Sequence, residues 1–265
     1  MAEQGRGGRY VVRQQRGTLA PELLVADDLL AREPRRVLQA SDRTTVVAVT
    51  LGGRELVVKR YQDRTVARAL ETLALGSRAA RLWRGASRLA AAGFATPEVM
   101  AVLERCSLGI PLVSCAVTAF VPGPPLDALW RERAGTARRR LLVAFADWLR
   151  RLHAAGLYPQ DLRAANVLVP SESPPTFVLV DLDRVRRYRR LSWRRRRKNL
   201  AQVYRSVGRG ASLGEKARFL RAYLGPGAPA ELRARGAGIE RLGRRKDAEY
   251  ARRRAIAAVA ARRSG

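Results

Sequence analysis

The sequence predicts an α+β fold in two parts, a small β-rich amino-terminal lobe and a larger helical carboxy-terminal lobe. Three observations carry this. Arg36 to Tyr61 holds two β-branched runs on either side of Gly52-Gly53, a hairpin signal. From Thr136 onward, Leu141, Leu142, Phe145, Trp148, Leu149 and Leu152 recur at helical spacing and end at Gly156. Between them, Val121-Pro122-Gly123-Pro124-Pro125 reads as a hinge. The expected division is an extension over residues 1–34, a first lobe over 35–121 and a second over 122–265 with a basic tail.

Composition bounds the function. With 265 residues and 47% hydrophobic content the chain can bury a real core. The formal charge of +29, carried almost wholly by arginine, calls for an anionic counter-surface: nucleic acid, anionic lipid or a phosphorylated glycolipid. Cys106 and Cys115 lack CxxC spacing and suit reduced thiols in a cytosolic protein. A single histidine, His153, excludes a His-rich metal site and argues against a Ser-His-Asp triad; it reads as an ordinary interface or capping residue near a helix end. No signal peptide is expected from MAEQGRGGRY, and the uncharged stretch Cys106 to Leu126 is too rich in proline for a membrane span.

In chain order, residues 1–9 are Gly- and Arg-rich and expected to be loose. The hairpin follows, and its second strand carries Val57-Val58-Lys59, a lysine between apolar neighbours that suits either a phosphate contact or an edge strand facing water. The loop at residues 41–43 lacks the glycines of a phosphate-covering loop. Arg64 to Ala92 is helical, broken at Gly76-Ser77, where Ser77 caps a second helix with Leu82, Ala86 and Leu89 on one face. Glu98 to Leu103 and Pro111 to Val121 are apolar runs of the first lobe. Thr136 is expected to cap the long helix of the second.

That helix delivers the chain into YPQDLRAANVLVPSESPPTFVLVDLD, Tyr158 to Asp183. Asp161 is followed by Asn166 five residues on, then by two short apolar runs around a Ser- and Pro-rich turn, the second ending at Asp181. This is the layout of a kinase catalytic loop followed by a metal-binding loop, with Asp161 as base for a substrate hydroxyl and Asn166 and Asp181 as Mg²⁺ ligands on ATP phosphates. Lys59 would then reach those phosphates.

Beyond Asp183, ten of the fifteen residues from Arg184 to Lys198 are basic, with Tyr188, Leu191 and Trp193 among them. Arg184, Arg186, Arg187, Trp193, Arg194 and Arg195 are candidates for an anion-binding surface; a solvated helix face is the plain alternative. Leu200, Val203, Tyr204 and Val207 share a helical face, Ser212 with Glu215 makes a capping box for a helix stopping at Gly225-Pro226, and Arg244 to Arg263 suits a final helix.

The strings LHAAGLYPQDLRAANVLV, FVLVDLDRVRR and WRRRRKNLAQVYRSV resemble the lipopolysaccharide kinases of the Kdo/WaaP type, over roughly residues 35–210. The resemblance implies a reduced protein-kinase-like bilobal fold and phosphorylation of a lipopolysaccharide core sugar (Kdo or heptose) by ATP with Mg²⁺. The place would be the cytoplasmic face of the inner membrane, peripherally bound. It implies Lys59 on the nucleotide, Asp161 as base and Asn166 and Asp181 on the metal, with Asp183 and Arg184 as a further polar pair. Two departures stand out: Pro159 replaces the bracing histidine two residues before Asp161, and Leu82 falls where a lysine-orienting glutamate belongs, Glu71 lying earlier on the helical stretch. Alternatives are a weak or inactive kinase-like scaffold binding anionic lipid or a partner, and charge-driven nucleic-acid binding. The absence of an RNA module and an aromatic content of 6% argue against the last.

Overall fold

A computed structural model of the chain describes residues 10–15, 30, 35–62, 65–107, 109–225 and 229–263. The expected looseness of residues 1–9, and most of the expected extension over 1–34, lie outside the described residues. The α+β class holds. The chain divides into two compact units, Met1–Val121 with Leu179–Val185, and Pro122–Val178 with Arg186–Gly265. The short segment carrying Asp181 and Asp183 thus belongs with the first unit.

The first unit is built on a six-stranded antiparallel sheet: β1 (Val11–Gln15), β2 (Arg35–Ser41), β3 (Thr44–Leu51), β4 (Arg54–Gln62), β5 (Val99–Ser107) and β6 (Ile110–Ala119), in the order β1-β5-β6-β4-β3-β2. Gly52 and Gly53, at φ 54° and 75°, make the β3–β4 turn, where both central residues need the left-handed region. Val47, Val49, Leu56, Val58, Leu103 and Val117 alternate onto one buried face. Because β4 runs between β3 and β6, Lys59 is not an edge residue: it sits opposite Val46 on one side and Ala116 on the other.

Helix α1 (Val66–Leu75) stops at Gly76, and α2 (Arg78–Ala90) starts at Ser77, as the Gly-Ser break indicates. The Ser77 hydroxyl oxygen accepts from the Ala80 N–H and its proton goes to Glu104 at 2.5 Å, a buried carboxylate also held by Arg13. Such a cap stabilises the helix by about 1 kcal/mol. Leu82 and Leu89 are buried as α2 packs across β4, β5 and β6, each side chain contributing about 2 kcal/mol of apolar burial.

The second unit is helical: α3 (Leu126–Glu132), α4 (Gly135–Ala154), α5 (Trp193–Val207), α6 (Leu213–Leu224) and α7 (Pro229–Arg263). Short strands β7 (Leu157–Pro159), β8 (Val167–Leu168), β9 (Val178–Leu179) and β10 (Val185–Arg187) accompany them, and the chain passes from one unit to the other within β9 and again within β10. Thr136 does not cap α4: the chain enters through Gly135 at φ 56°, so Thr136 already lies inside the first turn, and Ala134 stands at the cap. Phe145, Trp148 and Phe177 pack as a ring cluster with centroids 5.4 to 5.8 Å apart. Ser212 and Glu215 form the expected capping box of α6.

The last helix is longer than the sequence pattern indicates, running 35 residues from Pro229 rather than from Arg244. Its first half is anchored to α5 by Tyr204 to Glu240 at 2.6 Å and Arg205 to Asp247 at 2.7 Å, and braced by the i,i+4 pairs Arg235–Glu231 and Arg244–Glu240. Among the described residues no helix is long and apolar enough to cross a membrane. The uncharged stretch from Cys106 instead ends β5 and forms β6, with Cys115 buried and neither cysteine in a disulfide among the described residues.

Candidate active site

The first unit brings Lys59 and Asp181 together. The Lys59 ammonium lies 2.6 Å from Asp181 Oδ1 and 5.5 Å from the centre of the Tyr61 ring. Burial disfavours the charge on Asp181, but Lys59 outweighs it by charge and hydrogen bond. With Arg78 and Arg184 adding to it, Lys59 holds the carboxyl below its ordinary value of 3.8.

Three contacts fasten the residues after Asp181 to α2. Arg78 Nε donates to Asp183 Oδ2 at 2.9 Å while its guanidinium lies 4.2 Å over the Tyr61 ring. Arg88 donates to the Val185 carbonyl at 2.8 Å. Between them, Gly85 lets the helix touch the Leu182 carbonyl, where any Cβ would overlap that oxygen. The charge order of a lysine-orienting helix glutamate is therefore reversed here: the helix offers a cation, and the partner acid lies two residues beyond Asp181. Leu82 is core, and Glu71 pairs with Arg81 at 3.1 Å. This use of Arg78 carried no signal in a chain where arginine is everywhere. The same holds for Arg163, whose Nε donates to Asp161 Oδ1 at 2.9 Å.

The second unit brings Asp161 and Asn166 together. Asn166 ends a short 3₁₀ turn (Ala164–Asn166), and its Nδ2 donates to the Asp161 carbonyl at 3.1 Å. That bond uses the donor end of the amide and leaves Oδ1 with no partner among the described residues. The loop is not loosened by Pro159. Asn199, Gln202 and Ser206, on one face of α5, reach its backbone from Pro159 to Ala164. The spacing of these polar residues is visible in the sequence, but nothing there says which backbone they meet.

Behind them His153 is fully buried, with Nε2 at 3.0 Å from Asn199 Oδ1 and Nδ1 at 2.6 Å from the Tyr223 hydroxyl. Burial pushes the imidazole down to about 4, against the Asn199 hydrogen bond and with help from the Arg196 charge. His153 is thus a buried network member and no helix cap.

The basic candidates divide between the units. Arg184 is in the first; Arg186, Arg187, Trp193, Arg194 and Arg195 are in the second. Arg184, Arg186, Arg187 and Arg194 are exposed. Arg195 lies 4.1 Å over the Tyr188 ring, and Trp193 is covered on one face by the Arg235 guanidinium at 4.6 Å. The second unit also holds an apolar cavity lined by Trp130, Leu142, Phe145, Phe219, Leu220 and Ile239.

A sheet lysine paired with an acid in one unit, and in the other an acid on a loop with an amide five residues on, are the residue types that a kinase-like phosphotransferase uses. The chain belongs to the lipopolysaccharide kinase (Kdo/WaaP) family, which matches residues 29–223. It is an enzyme of that family, a lipopolysaccharide core kinase. Among solved structures it is similar to WaaP in complex with acyl carrier protein, at 25% identity over 91% of this chain and 98% of that one, with a TM-score of 0.64. No curated protein sequence matches the chain.

Proposed function

We propose that the chain moves the γ-phosphoryl group of ATP to a hydroxyl of a lipopolysaccharide core sugar, Kdo or heptose. It would do so while bound peripherally to the cytoplasmic face of the inner membrane. The observation that supports this most is the pairing of Lys59 with Asp181 in one unit and of Asp161 with Asn166 in the other. The substrate hydroxyl oxygen forms a bond to the γ-phosphorus, the bond to the β–γ bridging oxygen breaks, and ADP leaves. Asp161 takes the hydroxyl proton; Arg163 occupies Oδ1, and Oδ2 has no partner among the described residues. Lys59 binds phosphate oxygens once they compete for it with Asp181.

Asn166 Oδ1 and the Asp181 carboxylate are the hard oxygen donors that suit Mg²⁺, which, when bound, neutralises phosphate charge. Arg184, Arg186, Arg187, Arg194 and Arg195, with Trp193 beside them, supply bidentate donors for the phosphates and carboxylates of the glycolipid and the anionic leaflet. An acyl carrier protein, the companion of the solved relative, is a candidate partner for this chain too, and the apolar cavity has the chemistry an acyl chain needs.

The test is transfer of label from γ-labelled ATP with Mg²⁺ into a lipopolysaccharide core glycolipid, with Asp181→Ala alongside. Label in the glycolipid that vanishes in the variant supports the reading and supplies product for mapping the sugar. ATP binding without transfer to any core glycolipid would sink the acceptor, and no ATP binding would sink the nucleotide.

A further inference from the structure

We infer that Gln202 is a positioning residue for Asp161, and that Asn199 and His153 set the orientation of its amide. The inference rests on Asp161 serving the transfer proposed above.

Gln202 touches the backbone on both sides of Asp161. Its Nε2 donates to the Gln160 carbonyl at 2.7 Å, and its Oε1 accepts from the Leu162 N–H at 3.2 Å. The first of these groups lies in the peptide plane before Asp161 and the second in the plane after it. Holding both planes fixes φ and ψ of Asp161, and with them the direction in which its Cα–Cβ bond leaves the backbone. A carboxylate that must meet a hydroxyl within hydrogen-bond distance depends on that direction.

The amide can do this in one orientation only, and its neighbours enforce it. Asn199 Nδ2 donates to Gln202 Oε1 at 2.8 Å and to the Pro159 carbonyl at 2.7 Å. Both Asn199 donors being used, its Oδ1 is the acceptor for His153, so the imidazole carries its proton on Nε2 and Nδ1 accepts from the Tyr223 hydroxyl. Every bond then runs in one sense, from Tyr223 through His153 and Asn199 to Gln202. A flipped Gln202 would set its NH₂ against the Asn199 NH₂ and the Leu162 N–H. Ser206 extends the same face of α5, accepting from the Ala164 N–H at 3.3 Å while donating to the Gln202 carbonyl at 3.1 Å.

The test compares Gln202→Leu, Gln202→Glu and Asp161→Asn with the intact protein, measuring kcat and KM for ATP across pH. Gln202→Leu is expected to lower kcat about 100-fold with KM for ATP within about twofold, the effect of a displaced reacting group. Gln202→Glu supplies the conservative rescue. A neutral glutamic acid keeps one donor and one acceptor where Gln202 has them, whereas a carboxylate repels the Gln160 carbonyl. Its kcat relative to the intact protein should therefore climb as pH falls from about 8 to about 6. A role confined to folding would not produce that rise, and the rise can be read even if Gln202→Leu does not fold. Asp161→Asn separates the two failures. If it is inactive while both Gln202 variants keep kcat within a few-fold and a flat ratio over pH, the positioning role is overturned alone. If Asp161→Asn is itself active, the base assignment falls.

Discussion

Lys59 and Asp181 are 122 residues apart in the chain and 2.6 Å apart in the fold. The lysine comes from an interior strand of the first unit, and the acid from the short segment Leu179–Val185 that belongs to the same unit. The pair joins two largely covered side chains, the ones proposed above to meet the nucleotide and the metal. Replacing Asp181 by alanine is expected to reduce phosphoryl transfer by on the order of 10²- to 10³-fold, as loss of one electrostatic stabiliser does. Replacing Lys59 by methionine should reduce it similarly and raise the Asp181 pKa, measurable by steady-state assay and by titration of the carboxyl signal. A Lys59→Met protein with full activity would remove lysine from the mechanism.

The Arg78–Asp183 pair predicts a stability change with a specific partner dependence. Asp183 has a side chain only 1% exposed, and its Oδ1 has no hydrogen-bond partner, so it relies on Arg78. Arg78→Met should cost about 3–5 kcal/mol in denaturant unfolding, because it strands a buried charge. Asp183→Asn in the same background should recover a large part of that. Additive losses in the double variant would show the two residues to be uncoupled.

Much of this fold was legible because its signals are local. Gly52-Gly53, the Gly76-Ser77 break, the Ser212–Glu215 box and the spacing of Asp161 and Asn166 each depend on a few neighbouring residues. What stayed hidden depends on distant partners. The sequence places Val37, Leu38 and the β4 strand in one hairpin region but does not say that β6 lies on the other side of β4, which is what takes Lys59 off the edge. The departure at Pro159 reads in sequence as a lost brace, whereas the brace comes from Asn199 and Gln202 on α5, forty residues on. Hydrogen bonds from side chain to backbone leave no periodicity to find. Thr136 misled because a Thr before an apolar helical pattern is a good cap only when the backbone at that point is extended, and Gly135 puts the boundary two residues earlier, with Ala134 at the cap.

The arginines of the basic segment predict a salt-sensitive surface interaction. Arg186 and Arg187 are both exposed, and each basic residue at an anionic leaflet contributes about 1 kcal/mol. Replacing both by serine should weaken binding to phosphatidylglycerol-containing vesicles roughly 30-fold, measured by sedimentation at low salt. Raising the salt should shrink the difference. Equal binding by the two proteins would rule Arg186 and Arg187 out as contacts with an anionic leaflet.

His153 predicts a pH dependence of stability whose sign follows from its burial. Unfolded, the imidazole takes a proton as pH falls through its ordinary value of 6.5; folded, it resists protonation until about 4. Between these values the unfolded chain binds more protons, so stability increases with pH across the window. The contribution is complete above 6.5 and is lost as pH falls toward 4, reaching about 3 kcal/mol in all. Carboxylates held low by their partners, Asp147 by Arg150, Asp181 by Lys59 and Glu240 by Tyr204 and then Arg244, lose their contributions at lower pH, as pH falls from their ordinary values near 4. As the chain has a single histidine, the slope between about pH 5 and 6.5 is assignable to that one side chain. Urea unfolding at intervals across this window should show stability falling toward acid, and His153→Gln, which cannot titrate, should flatten the curve there. A His153→Gln protein with the same slope as the intact one would mean that the imidazole is already protonated in the fold, and the Tyr223–His153–Asn199 chain of bonds would have to run in another sense.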